Sequence, residues 1–345
     1  MTETENDMEI SKNELKKIIL HRQGLTNPSP DPLTICSKLN GFQAQYNLMP
    51  EQAFVVRTQT EAFRAEGWRD ELVRCWSIRG TLHVFPLAEI PLYLHQGRQT
   101  GQRDVDDLRS DMYLNENEKR YYAEIILAAL AKRPRTRNEL KIITAEAGLP
   151  KDAERSVFNP WGGLIRYLIE SGQVYRKYGL DGLYVKLEDY QPWPKKEAEL
   201  EIARRYFENY GPCTIDDARY YFKRRKGLIL EWMEQLDLET ITVEGQERFG
   251  FNLDVDYGDL PDLLLLSGFD PLLMGYEKTA NPFLEEEHMR EVFTYTGMVR
   301  PSILVGGRIV GTWRQIGQKI DMNLFTALTE KELTRIEHFL KKLEG

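Results

Sequence analysis

Apolar residues recur along the chain at helical spacing, in blocks that close on short alternating stretches, and this compound pattern returns more than once. From Tyr121 to Tyr184 it reads as a helix (YYAEIILAALAK), a shorter helix after Arg135 and Thr136 (RTRNELKIITAEAG), a third helix (PWGGLIRYLIESG) and a hairpin-like VYRKYGLDGLYV. Three helices and a two-stranded wing are the winged-helix order. The order recurs from Ala198 to Asn252: AELEIARRYFENYG, then IDDARYYF, GLILEWMEQLD and ITVEGQERFGF. Thr214 stands where it can cap the second of these helices, with Asp216 and Asp217 in the first turn, where carboxylates suit the helix dipole. A fainter first copy runs from Ile10 to Phe85, through SKNELKKIILHRQG, DPLTICSKLNG, EQAFVVRTQTEAFRAEG and a strand pair around ELVRCWSIRGTLHVF.

The predicted class is therefore α+β, mainly α, with three tandem winged helices and a C-terminal β-containing module. The boundaries fall at 10–95, 115–190, 197–257 and 262–345. The linkers are GRQTGQRDVDD and EDYQPWPKKE, the latter broken by Pro192 and Pro194. In the last module ILVGGRIVG reads as a hairpin with Gly306 and Gly307 at its turn, where positive φ is needed. A final amphipathic helix, TEKELTRIEHFLKKLEG, follows.

Composition narrows the class. The 345 residues are enough for two or three cores, and 41% hydrophobic with 29% charged residues is the balance of a soluble globular protein. No apolar run approaches the roughly 20 residues of a membrane span, and MTETENDMEISKNELKK lacks the order of a secretory signal, so no membrane partner is expected and the cytoplasm is the expected location. Cys36, Cys75 and Cys213 are widely spaced and form no CxxC, which points to buried thiols rather than disulfides or zinc. No HExxH, GxxxxGK[ST] or GxGxxG occurs, so no metal or cofactor is expected. A net charge of −8 argues against indiscriminate coating of nucleic acid, yet AKRPRTR and KRRK leave room for a local basic footprint. Arg135, Arg137, Arg224 and Arg225 are the candidate phosphate contacts.

The segment GFQAQY places Gln43 and Gln45 two residues apart. On a helix they would lie about 200° apart, whereas on an extended segment both point the same way. Gly41 reads as a helix stop, which favours the extended form and lets both amides face one cleft.

Five strings in this order resemble one family: QAQ, RGTLHVF (Arg79 to Phe85), YGPCTIDDARYY (Tyr210 to Tyr221), FDPLLMGY (Phe269 to Tyr276) and ILVGGRIVGTWR (Ile303 to Arg314). They are similar to the AlkZ-like and YcaQ-like winged-helix DNA glycosylases of bacteria, over nearly the whole chain. The resemblance implies winged helices around a DNA-binding concavity and excision of alkylated purines, including bulky toxin adducts and interstrand crosslinks. The family's catalytic motif is Gln-x-Gln in the AlkZ-like branch and Gln-x-Asp in the YcaQ-like one. Gln45 at the third position resembles the former, which implies a narrower range of adducts.

The residues agree with that chemistry. An amide is no general base at neutral pH, so two catalytic glutamines imply a reaction that demands little proton transfer. Alkylation at N7 or N3 makes the purine cationic and a good leaving group, so what remains is to orient a water near C1′ and stabilise an oxocarbenium, which amide oxygens can do. In RGTLHVF, strand alternation would put Arg79, Thr81 and His83 on one polar face beside the glutamines. The expected partner is double-stranded DNA carrying alkylated bases. Gly306, Gly307 and Arg308 form a narrow hairpin tip suited to groove probing, with Arg314 reaching phosphate. Trp313 reads as a core anchor and Asp270 as an Asx-type turn. No lysine nucleophile is marked, so the expected product is an abasic site without strand cleavage. The alternatives are a winged-helix transcription regulator, in which glutamine reads adenine, and a non-catalytic scaffold. Tandem copies reduce the need for a dimer, so a monomer is expected.

Overall fold

Local capping sets several of the helix starts. Ser11 with Glu14, Asn115 with Glu118, Thr136 with Glu139 and Thr214 with Asp217 all close reciprocal capping boxes, the last on the cap read from sequence. The computed structural model describes residues 8–96, 114–159, 162–179, 182–253, 257–317 and 319–344. The expected linker GRQTGQRDVDD and the tip residues Leu180 and Asp181 lie outside them. Among the described residues no helix is long and apolar enough to cross a membrane.

The chain divides into two compact units, one of residues 1–65 with 201–345, the other of residues 66–200. In the first unit the helices Lys12–Arg22, Pro32–Lys38 and Leu48–Val55 precede Ile215–Phe222 and Lys226–Leu236, and the helix Lys195–Asn209 joins from Glu201 onward. The strands Glu239–Val243 and Gln246–Gly250 pair antiparallel, and Met8–Glu9 adds parallel to the first. A second sheet, all antiparallel, has the order Lys319–Leu324, Arg308–Ile316, Ser302–Val305, Leu263–Leu266. Trp313 is buried in its core and donates its indole N–H to the Leu266 carbonyl at 2.8 Å, so it anchors the module as its sequence position implied.

A tyrosine cluster ties this unit together. Tyr206 stacks on Tyr210 and Tyr221, with ring centroids 5.1 and 4.5 Å away. The hydroxyls of Tyr206, Tyr210 and Tyr276 donate to the carbonyls of Gly275, Leu39 and Tyr210 at 2.7–2.9 Å. Buried phenols need such partners, and here the partners lie in segments far apart in the chain, so YGPCTIDDARYY and FDPLLMGY meet as one packed body. Burial raises the pKa of Tyr206, Tyr276 and the Cys213 thiol, which stay neutral.

In the second unit the helices Glu116–Lys132, Arg137–Glu146, Glu154–Phe158 and Gly163–Glu170 precede the antiparallel pair Val174–Arg176 and Tyr184–Lys186, one short helix more than expected for residues 115–190. The strands Leu72–Trp76 and Leu82–Pro86 join them through a bridge from Val73 to Lys177. The expected segment 10–95 is thus shared: its three helices belong to the first unit and its strand pair to the second. The helices are held by side-chain partners beyond residue 200, such as Asn40 donating to the Ile202 carbonyl at 3.0 Å. The strands are held by Tyr178, whose amide donates to the Leu72 carbonyl at 3.0 Å.

Candidate active site and DNA-contacting surfaces

The helix Pro32–Lys38, capped by Asp31, ends in two left-handed residues, Asn40 and Gly41, with φ of 57° and 82°. The Gly41 amide donates back to the Cys36 carbonyl at 2.8 Å, closing the helix as the sequence suggested. The chain emerges extended, with Phe42 and Gln43 in a short strand, and bends at Gln45 before the helix Leu48–Val55. Phe42 and Ala44 are 1% and 0% exposed and take the core side. Gln43 is buried, Gln45 is half-buried, and Tyr46 and Leu48 beyond them are exposed. The two amides thus sit where the chain passes from core to surface, which suits groups that meet a substrate.

RGTLHVF departs from the alternation expected of it. Residues Ile78–Gly80 form a tight turn with Arg79 and Gly80 at φ of 61° and 68°, and the strand begins only at Leu82. Arg79 and Thr81 therefore lie in the turn, Thr81 donating its hydroxyl to the Ile78 carbonyl at 3.1 Å, while His83 alone is on the strand. Its ring is buried, with Nδ1 3.1 Å from the Thr81 carbonyl. Arg79 drops out of the polar face expected of Arg79, Thr81 and His83, because left-handed Arg79 and Gly80 break the period-2 alternation ahead of the strand. These three residues belong to the second unit and the glutamines to the first.

The basic candidates divide by their partners. Arg135 faces Glu139 at 3.5 Å, and Arg137 donates to the Phe158 carbonyl. The Glu139 carboxyl is held down to about 2, by the Thr136 amide first and then by Arg133. Arg224 and Arg225 are exposed beside Lys223 and Lys226, at a corner made by Lys223 in the left-handed region.

The Gly306–Gly307 turn is not a free tip. Gly306 donates its amide to the Pro261 carbonyl at 3.1 Å, and Gly307 is buried so closely that a Cβ there would meet Leu260 at 3.1 Å. Arg308 donates to Thr326 at 2.9 Å and pairs with Glu332 at 3.3 Å. Of the three residues read as a groove-probing tip, Gly307 is packed against the module while Gly306 and Arg308 are half-buried. The outlying hairpin of this sheet is the next one, between Arg308–Ile316 and Lys319–Leu324. Arg314, Gln315, Ile316, Gly317 and Lys319 are all exposed there. Arg314 pairs with Asp321 at 2.7 Å, an exposed contact worth little and easily exchanged for phosphate. The polar run RQIGQK was the signal for this hairpin in the sequence.

Arg74, another cation of the second unit, had no such signal. Burial first, and then Arg176 nearby, lower its pKa to about 10. The two arginines come from strands about a hundred residues apart, so only the fold brings them together. Ligand atoms of Glu285, Glu287 and His288 lie within 4.8 Å of one another, but two of the three are exposed acids of a kind common without an ion. A cleft of about 550 Å³ in the first unit is lined by His21, Arg22, Asp31, Lys38 and Tyr257 among others, and neither glutamine is among its lining residues.

A family model described as "DNA glycosylase AlkZ-like" matches residues 37–345. The chain belongs to the AlkZ-like DNA glycosylase family. Membership places it among the enzymes that hydrolyse N-glycosyl bonds of DNA. A relative from Streptomyces sahachiroi, named "Interstrand DNA cross-link repair glycosylase", is 23% identical over 330 residues, covering 86% of this chain and 85% of the relative. The solved structure of the Streptomyces sahachiroi DNA glycosylase AlkZ matches with a TM-score of 0.77 at 22% identity, over 97% of this chain and 96% of that one. At that identity the likeness speaks for the fold: the mixed, mainly helical architecture is that of the family.

Proposed function

We propose that this protein is a monofunctional DNA glycosylase that hydrolyses the N-glycosidic bond of purines alkylated at N7 or N3, with Gln43 and Gln45 holding the attacking water. The observation that supports the reading is the short extended segment Phe42–Gln43 followed by the bend at Gln45, along which the chain passes from a buried Gln43 to a half-buried Gln45 at the edge between core and surface. The C1′–N9 bond breaks with its electron pair going to the cationic base, which leaves neutral. Water adds at C1′ and its proton passes to solvent, so no general base is required. Oriented amide oxygens supply placement and charge stabilisation, the two contributions that remain.

The name of the Streptomyces sahachiroi relative supports extending the substrates to interstrand crosslinks. Arg135, Arg137, Arg224 and Arg225 are proposed as phosphate contacts. The exposed hairpin around Ile316, flanked by Arg314 and Lys319, would enter a groove. The enzyme acts as a monomer in the cytoplasm.

The test is release of N7-methylguanine from a duplex oligonucleotide, read as alkali-dependent strand cleavage above the spontaneous background. The Gln43→Ala, Gln45→Ala double variant runs alongside. Cleavage by the parent and none by the variant is expected. Equal cleavage by both would remove the glutamines from the mechanism. An inert parent on both N7-methylguanine and an N7-linked crosslink would overturn the reading.

A further inference from the structure

Arg57 and Asp270 are charged side chains with no solvent exposure, 213 residues apart. Arg57 Nη2 donates to Asp270 Oδ1 at 2.5 Å and Nη1 to Oδ2 at 3.0 Å, a two-point fork. Asp270 also accepts from the Leu272 amide at 3.0 Å and from the Ser267 hydroxyl at 3.0 Å. It is therefore the Asx turn expected of FDP and an ion-pair partner as well. Two features of Arg57 bear on the glutamines. Its guanidinium lies 5.8 Å from the ring centroid of Phe42, the residue before Gln43, and Phe42 in turn packs edge-on against Phe54 at 4.6 Å. Arg57 also follows the helix Leu48–Val55, the first helix after Gln45.

The same turn touches the other end of that helix. Gly268 lies so close to Met49 that a Cβ there would be 2.7 Å from Cε. Next to Gly268, Phe269 is held at φ 53°, a left-handed conformation that costs a bulky residue and persists only where the surroundings enforce it. The GFDP turn thus meets the glutamine-bearing segment at three points: Met49 after the glutamines, Arg57 beyond the helix, and through Arg57 the ring of Phe42 before them. A staple for the C-terminal module alone would not need a guanidinium laid on Phe42.

We propose that the buried Arg57–Asp270 pair is a positioning device for the reaction, fixing the strand that carries Gln43 relative to the helix that follows Gln45. The proposal rests on the reading of the glutamines given above. Neither Arg57 nor Asp270 touches substrate. Their effect is on the angle and distance at which the amides meet the water, to which rates are steeply sensitive.

The experiment is single-turnover excision from the N7-methylguanine duplex by Asp270→Asn and Arg57→Lys, with the rate constant and the amplitude read separately. Asp270→Asn keeps the shape but weakens the fork, and Arg57→Lys keeps the charge but loses its planar two-point geometry. The expected result is a rate constant lower by about tenfold to a hundredfold, with the amplitude near parental and duplex affinity within about twofold. A merely structural pair would lower the amplitude, as fewer molecules stay folded, and leave the rate constant alone. That outcome overturns the proposal. Should both variants fail to fold, Phe42→Leu, which removes the ring beneath the guanidinium and keeps an apolar core residue, decides on the same criterion. Gln43→Ala runs in parallel. If it excises at the parental rate, the glutamine reading fails and this proposal with it; if it is silent while Asp270→Asn keeps the parental rate, this proposal fails alone.

Discussion

Gly275→Ala gives the sharpest test of the packing in the tyrosine cluster. Gly275 follows the short helix Pro271–Met274 with φ of −79° and ψ of −16°, a conformation alanine adopts freely, so any cost is steric. A Cβ built there would stand 2.3 Å from Cδ1 and 2.8 Å from Cε1 of Tyr210. The ring cannot retreat without loss. It lies 5.1 Å from both Tyr206 and Tyr221, and its hydroxyl donates to the Leu39 carbonyl at 2.9 Å. Overpacking a well-filled core costs about 1–3 kcal/mol, and breaking a buried hydrogen bond adds roughly 1 kcal/mol, so about 2–4 kcal/mol is expected. For domains of this size that lowers a thermal midpoint by at least about 4 °C. Gly227→Ala is the control. It lies in the exposed first turn of Lys226–Leu236 with nothing within 4 Å of the added carbon, and it should be neutral or slightly stabilising. A melting midpoint for Gly275→Ala no lower than the parent's would refute the argument. So would the full cost persisting in a Tyr210→Ala background, where the clash no longer exists.

Other expectations follow from the same geometry. Cys36, Cys75 and Cys213 are all buried, and burial raises the Cys213 thiol further, so none should react with a thiol reagent until the protein is denatured, when three should. Partial burial, helped by Arg22 and Lys38, pushes the pKa of His21 below 6.5. The unfolded chain then takes up a proton that the folded one resists, so stability should be lost as pH falls through 6.5, and chemical denaturation of His21→Asn across that range should show a shallower loss. Arg225→Gln should weaken binding to all duplexes and reduce the slope of log affinity against log salt by about 0.9, measured by titration at several salt concentrations. Replacing Arg314 and Lys319 together should weaken duplex binding while leaving the melting midpoint unchanged, since both are exposed; a lowered midpoint would mean that the hairpin serves the fold instead.

What was legible in the sequence is what depends on near neighbours. The cap at Thr214 needs only Asp217 three residues on, and the stop at Gly41 needs only its own freedom at positive φ, so the extended glutamine segment could be anticipated from six letters. The order of helices and strands along each stretch is local in the same sense, and the five strings that marked the family are contiguous. What the tertiary structure decided is who packs against whom. Alternation in RGTLHVF failed because Arg79 and Gly80 both turn left-handed, although arginine has no preference that announces it. The Gly306–Gly307 turn carries the letters of a hairpin tip, yet Leu260 and Pro261 pack against it, and exposure passes to the neighbouring hairpin. Asp270 read as a local turn residue because its fork to Arg57 spans 213 positions. Capping and periodicity are paid for within a few residues, whereas burial depends on partners whose separation in the chain carries no signal of their meeting.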